Sequence, residues 1–128
     1  MTNWTGSMYS AQILDHFEHP RNAGVVADAD ASVLMENPAC GDTLQLTLKV
    51  SSGRIEQIHF RARGCVASMA CGSALTELVR GRTIEQARGL RREELLAAVG
   101  GLPPASEHAS HLAMDALAAA LRQVGEKV

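Results

Sequence analysis

Three positions carry side chains that could hold a soft or borderline cation. In Asn37-Pro38-Ala39-Cys40-Gly41-Asp42 a thiol and a carboxylate stand two residues apart, and a long strand pattern starts directly after them. Projecting from one rim, Cys40 and Asp42 form a plausible ligand pair, although an Asp after Gly is more often turn chemistry and a lone Cys a small buried hydrophobe. Cys65 follows Gly64 where a strand gives way to a helix. The free amides and macrodipole of a helix start favour an anionic sulfur, which suits a reactive or metal-binding thiol. His108 follows the Pro103-Pro104 break at the start of the last helical segment, where an isolated His is ordinarily a solvated residue near a cap.

Other chemistry is weaker. Cys71 lies six residues after Cys65, about 240° and roughly 9 Å along a helix, a poor geometry for sharing one ion. It falls on an apolar stripe with Leu75 and Leu78 and reads as core. His16, His19 and His59 read as helix or strand surface, and nothing singles out His111. A Cys–His–Asp nucleophile arrangement can be drawn from Cys65, His108 and Asp42, but the spacing does not favour it over metal binding. Phosphate-binding glycine loops, C-x-x-C and H-E-x-x-H are absent.

These residues need a frame, and the hydropathy pattern supplies one. Leu44, Leu46, Leu48 and Val50 alternate with polar residues from Thr43. Ser51-Ser52-Gly53 makes a turn, and Ile58, Phe60 and Ala62 alternate on the return with Gln57, His59, Arg61 and Arg63. This predicts an antiparallel hairpin with one face on a core and the other in water. Ser32 to Met35 is a plausible edge strand. Ahead of it, Ser10 caps a short helix with Ile13, Leu14 and Phe17 on one face, and Pro20 forces His19 out of helical geometry. Behind it, helices are predicted over 67–80, from Thr83, over 91–99, and from about Ser106, the last facing the core with Leu112, Ala116, Leu117, Ala120, Leu121 and Val124. The expected fold class is α+β, a three-stranded antiparallel sheet with helices packed on one face.

Bulk properties set the outer limits. With 128 residues, 46% hydrophobic and 20% charged, the chain reads as one soluble globular domain over 1–128, with residues 1–7 a poorly ordered lead-in. A formal charge of -2 and the lack of a Lys/Arg cluster give no footprint for nucleic acid, and no apolar run is long enough for a membrane. Three cysteines make a disulfide framework improbable, and the cytoplasm is the expected compartment.

Taken together, the segments resemble the U-type iron–sulfur cluster assembly scaffolds: IscU, SufU and the N-terminal domain of NifU. The resemblance spans nearly all of residues 8–124. It is carried by Tyr9 with Asp15-His16-Phe17-x-x-Pro20-Arg21-Asn22-x-Gly24, by Asn37-Pro38-x-Cys40-Gly41-Asp42, and by Phe60-x-x-x-Gly64-Cys65 with Ala67-Ser68-Met69-Ala70. Thr76-Glu77 and Leu102-Pro103-Pro104 before His108 complete it.

The resemblance implies a scaffold rather than an enzyme. Sulfur from a cysteine desulfurase and iron are joined on it into a transient [2Fe-2S] cluster, which passes to recipient apo-proteins. The implied ligands are Cys40, Asp42, Cys65 and His108, which in such proteins also bind Zn²⁺. A homodimer is a further possibility within the family. The lack of the insertion carried by SufU-type members points to the shorter IscU/NifU form.

Two departures stand out. The family's third cysteine, its usual persulfide acceptor, is Ala109 here, so sulfur acceptance would shift to Cys65 or Cys40. The segment read by a specialised Hsp70 chaperone is Leu102-Pro103-Pro104-Ala105-Ser106, which weakens the case for that partner. The first departure also opens a second reading, a zinc-binding sulfur acceptor or regulatory paralogue that docks on the desulfurase without building a cluster.

Overall fold

The computed structural model describes residues 9–39 and 41–127, with side chains described through residue 125. The lead-in 1–7 and Cys40 therefore lie outside the described residues. Element order is α1 (Ala11–Glu18), β1 (Ala31–Glu36), β2 (Thr43–Ser51), β3 (Arg54–Arg63), α2 (Val66–Val79), α3 (Ile84–Arg88), α4 (Arg92–Ala98), a 3-10 turn (Pro104–Ser106) and α5 (His108–Lys127). The strands form one antiparallel sheet in the order β1-β2-β3, as the alternation predicts. Helices α2 and α5 pack on the sheet and α1 packs on α2, giving the expected α+β layering.

The hairpin departs from strict alternation at one point. Val50 pairs with Ile55 while Lys49 pairs with Gln57, so Glu56 is an extra residue in β3. That bulge lets Ile55 and Ile58, three residues apart, both reach full burial. Nor is the sheet's second face fully wet. Phe60 N–H donates to Asn22 O (3.0 Å), and Gly24 N–H to Phe60 O (2.8 Å). The chain then crosses that face, where Val26 N–H meets Thr47 Oγ1 at 2.9 Å and leaves Thr47 only 2% exposed. His59, expected on the surface, is half-buried under this crossing, and its Nδ1 has no hydrogen-bond partner.

Helix α2 is the centre of the molecule rather than an amphipathic surface helix. Ten of its fourteen residues are buried, among them Ser68, Cys71, Gly72, Ser73 and Thr76. Small side chains make this possible: a Cβ on Gly72 would lie 2.7 Å from Phe60 Cδ2, so the helix rides close on the sheet. Punctuation follows the sequence. Thr83 and Gln86 form a capping box on α3, and Gly81 leaves α2 with φ +85. The last helix starts at His108, two residues past Ser106, which sits buried in the 3-10 turn. Its six predicted core residues are all buried.

The first helix corrects two expectations. Phe17 is exposed (38%), whereas His16, read as surface, is buried, with Nδ1 2.8 Å from Ser73 Oγ. The register of α1 is set by this bond and by Arg21, which reaches Asp15, Glu77 and the Ser73 hydroxyl. Burial, helped by the Arg21 charge, holds the His16 pKa below the usual imidazole value. The folded chain thus prefers His16 neutral. Its contribution to stability is complete above the unfolded value of about 6.5 and is lost as pH falls below it. We expect the melting temperature to drop between pH 7.5 and 5.5, with a shallower slope in His16→Gln; equal slopes would remove His16 from the account.

Candidate metal centre

Each candidate ligand is presented by the end of a different element. The β1–β2 loop is tied across its neck: Gly41 N–H donates to Asn37 O (2.7 Å) and Asn37 N–H to Asp42 O (2.8 Å). Asn37 Oδ1 accepts from Ala39 N–H, and Gly41 at φ +77 returns the chain to β2. Asp42 enters the strand as a buried carboxylate, 4% exposed. At the far end of β3, Gly64 turns at φ +133 and delivers Cys65 as the N-cap of α2. After the 3-10 turn, His108 opens α5.

The three donors converge. Asp42, Cys65 and His108 each offer one ligand atom, and these atoms lie within 4.8 Å of one another. His108 Nε2 is 3.0 Å from Asp42 Oδ2, Cys65 Sγ is 3.5 Å from that oxygen, and Sγ to Nε2 is 3.9 Å. Sulfur and carboxylate thus approach the same imidazole nitrogen. A nucleophile–base–orienter relay instead uses the two ring nitrogens separately, so the alternative Cys–His–Asp catalytic arrangement does not fit. Donors aimed at one point suit a cation bound between them.

Sequence reading missed one member of this cluster. Ser68 Oγ donates to Asp42 Oδ2 at 2.6 Å and lies 3.4 Å from Cys65 Sγ. It orients the carboxylate from behind, as outer-shell hydrogen bonds do at metal centres. The signal was a serine three residues into a helix whose N-cap is the candidate ligand Cys65.

The remaining candidates separate cleanly. Cys71 is fully buried in the core, as expected, and burial with the nearby Cys65 pushes its thiol up to about 12, which leaves it inert as a nucleophile. Ala109 is 1% exposed and belongs to the hydrophobic core. His19 and His111 are exposed, and Arg61 and Arg63 face solvent as predicted. His111 lines a groove of about 270 Å³ beside His108, with Glu36, Pro38 and Asp115.

Known proteins resemble this chain over most of its length. Residues 8–128 match the NifU-like N terminal domain. The chain is 45% identical over 114 residues to the iron-sulfur cluster assembly scaffold protein IscU 1 of Archaeoglobus fulgidus, covering 89% of this chain and 74% of that protein. Against the IscU scaffold protein of Haemophilus influenzae it is 38% identical over 117 residues, covering 88% and 92%. The NifU-like N-terminal structure from Brucella abortus superposes with a TM-score of 0.77 at 24% identity, over 97% of this chain and 99% of that one. The chain belongs to the NifU-like N-terminal domain family, among the U-type iron–sulfur cluster assembly scaffolds.

Proposed function

We propose that this protein is a scaffold on which an iron–sulfur cluster is assembled and then released, with Asp42, Cys65 and His108 as three of its ligands and Cys40 as the fourth. The observation that carries the ligand assignment is the convergence of a thiol, a carboxylate and an imidazole within 4.8 Å. Relatives named as scaffold proteins support the function, and the reading as a regulatory paralogue that builds no cluster is not favoured. Two thiolates, one carboxylate and one imidazole suit a [2Fe-2S] shell, since imidazole replaces thiolate in Rieske centres. The same set suits tetrahedral Zn²⁺, so zinc competes with ferrous iron for the site. Asp42, the hardest donor, is the one a departing cluster gives up most easily.

A scaffold takes sulfur from a cysteine desulfurase and passes its product to recipient proteins. With Ala109 buried in the core and Cys71 inert, Cys65 is our candidate for the sulfur landing site. Its thiolate attacks the outer sulfur of a donor persulfide, one S–S bond forms as another breaks, and the donor leaves as a thiolate, with no net redox change. Anaerobic incubation with desulfurase and cysteine, followed by alkylation and peptide mass mapping, should find the extra sulfur on the Cys65 peptide and none on that of Cys71. Sulfur confined to other peptides would contradict this role.

A further inference from the structure

The far edge of β3 holds an unused length of ladder. Because Phe60 spends its N–H and C=O on Asn22 and Gly24, it does not bond to β2, and neither does any residue of the same parity up the strand. Ala62 is the next such residue. Its N–H and C=O therefore point away from β2, and no partner meets them among the described residues. The segment at 22–24 covers the edge at Phe60 and then leaves it to cross the sheet.

Where that covering ends, a groove begins. It has a volume of about 550 Å³, and its lining includes Pro20, Ala23, Leu34, Arg61, Arg63 and Met69. Leu34, 68% exposed, adds apolar surface to the groove. Arg61 and Arg63 pair in register with Gln45 and Thr43, on the sheet face away from α2 and α5. Both are exposed, and neither joins an ion pair among the described residues. An open edge without a partner is a template for another strand, and two unpaired guanidinium groups beside it select carboxylates.

We propose that the β3 edge at Ala62 is a docking strip for an extended segment of a partner polypeptide in which two carboxylates flank one apolar residue. Strand alternation dictates that pattern. Residues of the incoming segment on the outer face meet Arg61 and Arg63, and the residue between them turns toward Ala62 and Met69. The strip ends three residues before Cys65, so a bound segment lies beside the ligand trio. The docking itself stands independently of the cluster reading, because it uses no ligand residue.

The test is a titration of the isotope-labelled full chain with the peptide acetyl-Ser-Glu-Val-Glu-Ser-amide, with Lys in place of Glu as control, followed by amide NMR. Addition of the Glu peptide should move the amides of Ala62 and Arg63, weaken with added salt, and lose about tenfold in affinity in the Arg61→Glu/Arg63→Glu protein. Both positions are exposed, so the variant should keep its fold, which its own spectrum reports. Methylating the peptide amide nitrogens should abolish the shifts. Equal response to the Lys or the methylated peptide would overturn the proposal, as would silence at Ala62 with millimolar peptide or shifts centred on His108. Concentration-dependent self-pairing that the peptide cannot displace would assign the edge to a second copy and overturn it equally.

Discussion

Replacing Cys65 with alanine will cost more than about 100-fold in affinity for Zn²⁺ or Co²⁺, beyond the 10–100-fold typical of losing an outer-shell partner. Cys65 is the only sulfur in the described trio, and its Sγ stands 3.5 Å from the Asp42 carboxylate and 3.9 Å from His108 Nε2. Without it, the described donors are reduced to a carboxylate and an imidazole, and the proposed set keeps one thiol of two for a cation whose preference is for sulfur. Cys71→Ala provides the internal contrast. That thiol is buried among core side chains and held up to about 12, so its loss should leave metal affinity unchanged and lower stability by only about 1 kcal/mol. A chelator competition titration reads both variants. Equal losses in the two would mean that the site is not where the three donors converge.

The second large effect comes from a residue with no side chain. A Cβ on Gly64 would lie 2.1 Å from Asp42 Oδ1, 2.4 Å from its Cγ and 3.0 Å from its Cβ. Gly64 also sits at φ +133, where an L side chain is strained by about 1–3 kcal/mol. In Gly64→Ala the carboxylate must leave its buried position and with it the Ser68 and His108 hydrogen bonds, each loss costing about 1–3 kcal/mol. We expect Gly64→Ala to destabilise the protein by about 3–5 kcal/mol, a large part of a typical 5–15 kcal/mol, and to lose metal binding with it. Gly53→Ala is the control for backbone strain: φ is +75 there, but nothing lies within 4 Å of the added Cβ, so about 1–2 kcal/mol is expected. Adding Asp42→Ala removes two of the three clashing atoms. Denaturant unfolding of the double variant should therefore show less than the sum of the single losses. Strict additivity would contradict the contact.

These two results depend on features of different visibility in the sequence. The strand alternation from Thr43, the stop at Gly81 and the cap at Thr83 are local signals, and the structure follows them. Cys65 at a helix start was legible for the same reason. The clash at Gly64 was not, because it depends on Asp42 arriving from another strand. Ser68 likewise acquires its role only when that carboxylate lies above it, and His16 is drawn inward by a serine 57 residues away. The burial of α2 on all sides was hidden because its polar residues are small and find partners across elements. Glu56, the extra residue in β3, hides inside an otherwise regular pattern. In each case the deciding partner is distant along the chain, whereas periodicity and capping report only on neighbours. Cys40, outside the described residues, is proposed as the fourth ligand from its place in the Asn37–Asp42 sequence motif.

The central claim is that this ligand set, lacking a thiol at Ala109, still supports cluster assembly. Anaerobic reconstitution of the unaltered chain with ferrous iron, cysteine and a cysteine desulfurase tests it most directly, read by visible absorption and by iron and acid-labile sulfide analysis. The prediction is a sulfur-to-iron charge-transfer band with iron and sulfide in equal amounts, absent from Cys65→Ala. A colourless protein holding zinc that neither iron nor the desulfurase displaces would contradict it.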